Sequence, residues 1–482
     1  MSIENDFYHA GQFIVDELRL VTTTGLEVDL ITSVLGITLF EDISAMAITG
    51  SISIIDSVDL SSHGPLLGQE YLHLKIRTPF ETENKSNIID FSDNAFIVHS
   101  VSKRQKLAGG VQGFVLSFAS QELVKNQRLK VTQSLTDTWS NIVKKMLTET
   151  KYLNTKKRID LEPTSGIKKF VAPNVRPMDI IVMAMKQAIA VYKGEPTYLF
   201  YETLMGFNFR TLASLYNNAV LMEYTTFVPG TSSRPSIGTD GTVIDIYKDL
   251  QTILGYEIIA NNDSLVSYRT GMYGSKLITH DIISKSYETK IYNYHDNWEN
   301  ETHIVSGTME GKQDHPLVSH VTVNEEGLRV SDFPARTFML PTSITGGVDS
   351  QHTTENNTNP YMAYDPHKWL QQRNSQMIQL ENALQVNISV HGNTLINVGD
   401  KVKINLPHMA TAKPADGSPF DRLYKGPFLI KKIRHDFFVT EKPKHEMSIQ
   451  LVKDSLEEIL EDTGPIEPSA KTTADIQEYS YS

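Results

Sequence analysis

Apolar and polar positions alternate with a period of two through the first 120 or so residues. Phe13–Leu20, Leu35–Phe40, Ile48–Ile55, Tyr71–Thr78, Phe96–Lys103 and Phe114–Ser120 are rich in Ile, Val and aromatic residues, and the pattern predicts a strand over each. Thr24-Gly25, Thr49-Gly50 and the run containing Gly64, Pro65 and Gly68 punctuate them. Glu41-Asp42 precedes Ile48, and Asp56 ends the strand that follows. Glu81–Asn94 reads as a polar loop with a short edge strand at Ile88 and Ile89.

The pattern then changes. Ser134 with Asp137 three residues on reads as a helix cap, and Leu135, Trp139, Ile142, Val143, Met146 and Leu147 form one apolar face. Pro177 starts a second helix at its first turn, with Ile180, Ile181, Ala184, Ile189 and Val191 inside. Thr197–Tyr216 is the most informative stretch. Tyr198, Phe200 and Tyr201 form one aromatic run, and Phe207 and Phe209 repeat it after Gly206. Glu202 to Met205 make the turn, closed by Gly206, which tolerates positive φ. Aromatic side chains on a two-stranded ribbon bury large areas, so the ribbon is a packing device. Leu212, Leu215 and Tyr216 continue as a short helical face.

Phe227–Gly241 is rich in Gly, Ser, Thr and Pro and reads as a linker. A short helix is expected at Val243–Leu250, with strands at Gly255–Ile259 and Leu265–Arg269 and an extended pattern over Leu277–Ile291. Residues 295–360 read as strands and long loops projecting from the body. Asp365-Pro366 opens a helix with Trp369, Leu370, Met377, Leu380 and Leu384 as its buried stripe and its Gln and Asn positions facing away. Val386–His391, Lys401–Leu406, Gly426–Arg434 and His445–Val452 complete a β-unit, with Gly399-Asp400 at a turn and Ala412–Phe420 as a loop. Past Leu460 a polar tail is expected. The first and last blocks share a plan of several extended strands. The fold class is therefore α+β, mainly β, with two similar β-domains flanking an α+β insert.

Composition removes several kinds of chemistry. The 482 residues contain no cysteine, so thiolate catalysis, disulfides and cysteine zinc sites are excluded. The net charge of −12 disfavours gripping phosphate backbones, although an acidic chain can border DNA without holding it. Gly311-Lys312 is followed by Gln313, so no phosphate-binding loop forms there. His435 and His445 fall on neighbouring strands and read as ordinary half-exposed histidines rather than metal ligands. Lys103-Arg104-Gln105-Lys106 and Lys156-Lys157-Arg158 read as solvated loops, with partner binding as the rival reading. No catalytic, cofactor or metal site is expected.

The ordered set of motifs resembles the central baseplate hub of contractile-tailed, T-even-type bacteriophages. The matching runs are Val21–Leu30, Leu39–Ile43, Ile48–Ser57, Leu67–Leu74, Tyr201–Leu215, Asp249–Ile259, Val386–Ile404, Gly426–Phe437 and His445–Leu451. The helix Trp369–Leu384 leads into the last group. The resemblance implies two tail-tube-like β-barrel domains, the first over residues 1–124 and the second over 243–294 and 361–460. Between them lie the insert (125–226) and linker (227–242); residues 295–360 form a peripheral insertion and 461–482 a tail. It implies Gly50, Asp56, Tyr201, Glu202, Gly206, Phe207, Phe209, Arg210, Gly399 and Asp400 as structural signature residues. It also implies a non-enzymatic homotrimer in the virion tail, assembled in the host cytoplasm. Its partners would be tail-tube proteins above and a trimeric central spike below, with baseplate wedge or tape-measure contacts and DNA passing through unbound. The rivals are a spike carrier of a related secretion system, a cell-wall hydrolase and a receptor-binding tail protein.

Overall fold

The computed structural model describes residues 10–56, 66–78, 88–107, 111–226, 249–260, 263–282, 285–305, 313–314, 330–342, 365–408, 420–439 and 443–457. The expected linker, most of the short helix after it, the Ala412–Phe420 loop apart from Phe420, and the C-terminal tail lie outside those residues. The chain is mostly β, as the alternation predicts, and its strands are dominated by one 14-stranded sheet.

The N-terminal module contains β1 (Ile14–Val21), β2 (Glu27–Asp29), β3 (Val34–Asp42), β4 (Thr49–Asp56), β5 (Tyr71–Arg77), β6 (Ile88–Asp90), β7 (Phe96–Lys106) and β8 (Gln112–Ser120). Their alternate apolar residues point inward. Leu18, Leu20, Ile37, Leu39, Ile52, Ile54, Leu72, Leu74, Leu116 and Phe118 close one core. Gly50 on β4 lies where the ring of Phe118 crosses the sheet, and a Cβ there would sit 2.5 Å from that ring.

The insert follows. Its strands are β9 (Ser134–Asp137), β10 (Arg158–Leu161), β11 (Lys168–Val171), β12 (Tyr198–Thr203) and β13 (Gly206–Thr211). The helices Trp139–Thr148 and Pro177–Gln187 pack beside β12 and β13 over a separate core. Ser134 begins β9 rather than capping a helix. The cap is Thr138, whose side chain accepts from Asn141 N, because β9 must first pair with β11. The aromatic ribbon forms with Phe200 opposite Phe209, and Tyr198 stacks on Phe209 with ring centroids 4.6 Å apart.

The C-terminal module contains β14 (Val220–Thr226), β15 (Thr252–Ala260), β20 (Leu384–His391), β21 (Lys401–Pro407), β22 (Phe420–Phe438) and β23 (Lys444–Lys453). Between β15 and β20 come β16 (Gly274–Asp281), β17 (Ser286–Asn293), β18 (Gln313–Asp314) and β19 (Arg336–Thr342); β24 (Ser455–Leu456) pairs with β18. β17, β16 and β19 make a small separate sheet. Leu265–Arg269 is not a strand. It lies in the helix Ser264–Thr270, capped by the Asp263 side chain and ended by Gly271 at φ 77°.

The helix after Asp365 starts with a π-helical stretch, His367–Gln372, and continues over Arg373–Asn382. Its buried face is largely polar, contrary to the apolar stripe predicted. Gln371, Ser375, Gln376 and Gln379 are buried with Leu380. The physical reason is what they meet. Gln371 Nε2 donates to Ser275 O at 2.9 Å, Ser375 Oγ donates to Met272 O, and Gln379 Nε2 donates to the Tyr294 hydroxyl. The helix hydrogen-bonds buried polar groups in and around β16 and β17, which apolar side chains could not do.

Candidate assembly interface

The two modules carry the same strand order. Numbered within each module by chain position, the six long strands are β1, β3, β4, β5, β7, β8 in one and β14, β15, β20, β21, β22, β23 in the other. In space both run first, fourth, fifth, sixth, third, second. In the C-terminal module the pairings return to their start, since β14 also pairs with β15. The first strand differs in direction: β1 is antiparallel to β5, whereas β14 is parallel to β21.

One antiparallel seam joins the modules. β3 pairs with the C-terminal half of β22, from Asp42 opposite Lys432 to Gly36 opposite Phe438. Phe437 crosses the seam and joins the N-terminal core, edge-on to Phe13 with centroids 5.1 Å apart. On the outer face Lys432 pairs with Asp42 at 3.0 Å, and the Arg434 guanidinium lies 5.9 Å from the Phe40 ring.

Beneath the seam lies a buried polar chain. His435 Nε2 is 3.0 Å from Glu41 Oε1, and His435 Nδ1 is 3.2 Å from His445 Nε2. Neither histidine is half-exposed; both are fully buried. Glu41 reaches His435 from the other module's β3, whereas the His445 ring is closed in by Phe437 and Gly392 of its own module. Burial first, and then neighbouring His435, push the His445 pKa well below the ordinary imidazole value. A neutral His445 donating from Nε2 to His435, which in turn donates from Nε2 to the Glu41 carboxylate, satisfies both contacts.

A second buried cluster ties the insert to the N-terminal module. Lys157 Nζ lies 2.8 Å from Glu122 and 2.7 Å from Glu202, and both carboxylates are fully buried. Thr155 donates to the other Glu122 oxygen, and Glu202 Oε2 accepts from Ile48 N at 2.9 Å. The solvated-loop reading of Lys156-Lys157-Arg158 is therefore corrected at its middle residue. Burial alone would lower the Lys157 pKa, and the two carboxylates more than reverse it. Burial raises the Glu202 carboxyl, Lys157 opposes the rise, and nearby Glu122 adds to it.

The other signature positions fall in three places. Tyr201, Gly206, Phe207, Arg210, Gly399 and Asp400 line one cleft of about 230 Å³ between the insert and the C-terminal module. Gly399 has φ 86°, and a Cβ there would meet the Tyr201 hydroxyl at 2.4 Å. Arg210 donates to the Asn218 side chain, which donates to Gly399 O, and Asp400 accepts from Asn397 N. Gly206 has φ 133°, with Arg158 O 2.2 Å from where a Cβ would be. Glu202, Phe209 and Gly50 lie in the packing already described. Asp56 is buried at the end of β4, where its carboxylate accepts from Gln112 Nε2 at 3.4 Å. Sequence reasoning did not single out Glu122, Lys157, Glu41, His435 or His445 as structural contacts.

The seam makes one continuous run of eight strands, β7-β8-β4-β3-β22-β23-β20-β15. Its outer face is set by register. Ser117, Ser51, Thr38, Asp436 and Glu446 form one row across it. Phe40, Arg434, Ser448 and Ser389 form the next, followed by Asp42, Lys432, Gln450 and Asn387. A shallow cleft of about 590 Å³ lies over the second and third rows.

No protein-family model and no curated protein matches the chain. Several solved structures do. A tail protein from Neisseria meningitidis MC58 matches at 11% identity, over 92% of this chain and 97% of that one, with a TM-score of 0.46. The 43 kDa tail protein of prophage MuSo2 from Shewanella oneidensis matches at 8% identity, over 91% and 98%, also at 0.46. An E. coli component of the type VI secretion system, described as structurally similar to T4 bacteriophage tail proteins, matches at 8% identity over 95% and 81%, at 0.39. The structural neighbours thus include phage tail and secretion-machine proteins. Identities and superpositions this low assign no activity.

Proposed function

We propose that this chain is a non-enzymatic adaptor ring of a contractile-type tail, a hub joining a six-fold tail tube to a three-fold central spike. The observation that carries the proposal is the duplicated strand order. One chain supplies two modules of the same order in a single continuous sheet, so three chains supply six tube-like β-barrel units around one axis. Such a ring has the symmetry to stack on tail-tube proteins on one side and hold a trimeric spike on the other. Wedge or tape-measure proteins would contact its periphery.

In this reading the outer face of the eight-strand run lines the bore. Small hydroxyl and amide side chains dominate its rows, and the cations there are matched. Lys432 pairs with Asp42, and Arg434 with Asp436 at 2.8 Å. Matched charge leaves little net attraction for a phosphate backbone, so DNA would pass without adhering. The overall charge of −12 per chain acts in the same direction. The insert braces the outside of the ring through Lys157 and the Tyr201–Gly399 contact, and the signature residues are structural. The domain boundaries given from sequence are part of this proposal, as is residence in the virion tail.

Sedimentation equilibrium on the purified chain, alone and with a tail-tube or spike partner from the same particle, tests the stoichiometry. The expected mass is that of three chains. A stable dimer, or six chains in the ring, would overturn the adaptor reading.

A further inference from the structure

Two carboxyl groups meet where the insert joins the C-terminal module, and among the described residues neither is paired with a lysine or arginine. Glu195, in the insert, is 4% exposed, and its Oε1 accepts from the Thr302 hydroxyl at 3.3 Å. Glu301, beside Thr302, turns its carboxyl onto buried Tyr292. Its Oε1 accepts from the Tyr292 hydroxyl at 2.7 Å and its Oε2 from Gln376 Nε2 at 3.2 Å. Gln376 Oε1 in turn accepts from Thr197 of the insert. Every donor here is a hydroxyl or an amide. Two buried carboxylates without a countercharge are costly, so the pair holds a proton. Burial raises the Glu301 carboxyl to about 7, and the charge of Glu195 adds to the rise.

A second proton sits two residues on, at His303. Its Nδ1 donates to Asp454 Oδ2 at 2.9 Å and its Nε2 to Trp298 O at 2.8 Å. Both ring nitrogens face acceptors, so both carry hydrogen and the ring is an imidazolium. The Trp298 ring stacks on it with centroids 3.4 Å apart, which favours the cation. Burial alone would lower the His303 pKa, and Asp454 more than reverses it. Asp454 also accepts from Ile304 N at 3.0 Å and lies between β23 and β24. The cluster therefore ties the insert, β17, the helix Arg373–Asn382, residues 298–305 and the end of β23 to one another.

Other titratable groups surround the cluster. Lys193 and Lys368 lie towards Glu195, and Lys368 Nζ donates to Gly194 O at 3.1 Å. Glu162 lines the cleft that Glu195 borders and accepts from Thr211 N at 2.7 Å. Tyr216 lies beside Asp454, His367 beside Tyr292, and Lys401 Nζ donates to Ile304 O. None of the lysines forms an ion pair with Glu195 or Glu301.

We infer that this cluster is a proton-operated latch: with its protons in place it clamps the insert to residues 298–305 and the end of β23, and it loosens when they leave. The inference does not rest on the adaptor reading. As pH rises through about 7, Glu301 ionises beside Glu195. Loss of the His303 proton then leaves Asp454 without its cation. A carboxyl raised by folding contributes stability that is complete below the unfolded carboxyl range and is lost as pH rises through its folded value. A buried neutral histidine such as His445 acts in the opposite direction, so the two sites are told apart by sign.

Amide exchange on the full-length chain at pH 6 and pH 8.5, corrected for the intrinsic rate, tests the latch. Protection at residues 298–305 and 453–456 should fall at least about tenfold at the higher pH, the change that one carboxyl gives with a folded pKa of about 7 against about 4.3 unfolded. Glu301→Gln keeps the shape of the protonated acid and should hold its protection at pH 8.5 well above that of the parent. Infrared spectra of the parent should show the C=O stretch of a protonated carboxyl at pH 6 that is lost by pH 8.5, a readout that does not depend on the variant folding. Protection unchanged by pH, a Glu301→Gln chain as pH-sensitive as the parent, or the lack of a titrating carboxyl band would each overturn the latch and leave the adaptor reading standing.

Discussion

Replacing Lys157 by methionine is expected to destabilise the insert and its attachment by about 3–5 kcal/mol, the usual result of stranding a buried charge. Two carboxylates, Glu122 and Glu202, share that ammonium group, and neither reaches solvent. Without it, both must either stay charged beside each other in a low-dielectric interior or take up protons. Thermal unfolding followed by tryptophan fluorescence reports this directly, because Trp139 lies in the insert core. The triple variant Lys157→Met, Glu122→Gln, Glu202→Gln should recover most of the loss, since replacing every member of a buried ionic cluster is far less costly than removing one. A single variant as stable as the parent would show that the cluster does not hold the insert.

The second large effect is expected at the seam. Adding a methyl group at Gly392 places a Cβ 1.9 Å from the His445 ring. That ring stacks on Phe437 with centroids 4.0 Å apart and hydrogen-bonds His435, so there is no free direction for it to move. Gly392→Ala should therefore cost about 1–3 kcal/mol from overpacking. It should cost about 1–3 kcal/mol more if the displaced histidines leave Glu41 unpaired. The parent seam should also be acid-sensitive. His445 is held neutral when folded, with its pKa below the unfolded value of about 6.5. The unfolded state thus binds the extra proton, and stability present above about pH 6.5 falls as pH drops towards the folded pKa. Urea midpoints at pH 8 and pH 5.5 measure this, and a midpoint that does not fall on acidification would contradict it. A His445→Phe variant should lose this part of the pH dependence.

Much of the architecture was legible because period-two alternation is a direct consequence of a sheet with one buried face. The ribbon Tyr198–Thr211 was readable from its paired aromatics and Gly206 instead, because its first strand is buried on both faces. Less legible were contacts whose partners lie far along the chain. Lys157 has basic neighbours on both sides, and nothing local points to carboxylates 35 and 45 residues away. The buried glutamines after Asp365 look solvent-facing until the polar groups opposite them are known.

The histidines are a different case, because a signal was present. Glu41 follows Ile37 and Leu39 at alternate positions, His435 sits between Ile433 and Phe437, and His445 precedes Met447 and Ile449. Carrying the alternation through polar residues puts all three on the inward face. A buried polar residue at an inward position requires a partner, and here the partners belong to different modules. The helix Ser264–Thr270 also carried its start and stop signals, Asp263 and Gly271, which its β-rich appearance masked.

We propose that one chain provides two units of a ring with the same strand order. Electron microscopy of the assembled tail particle tests it most directly. Three copies of this chain are expected at the junction of tube and spike, with six similar modules around the bore and the eight-strand face turned inward. Six copies in the ring, or a position on the tail's outer surface with no bore, would contradict it.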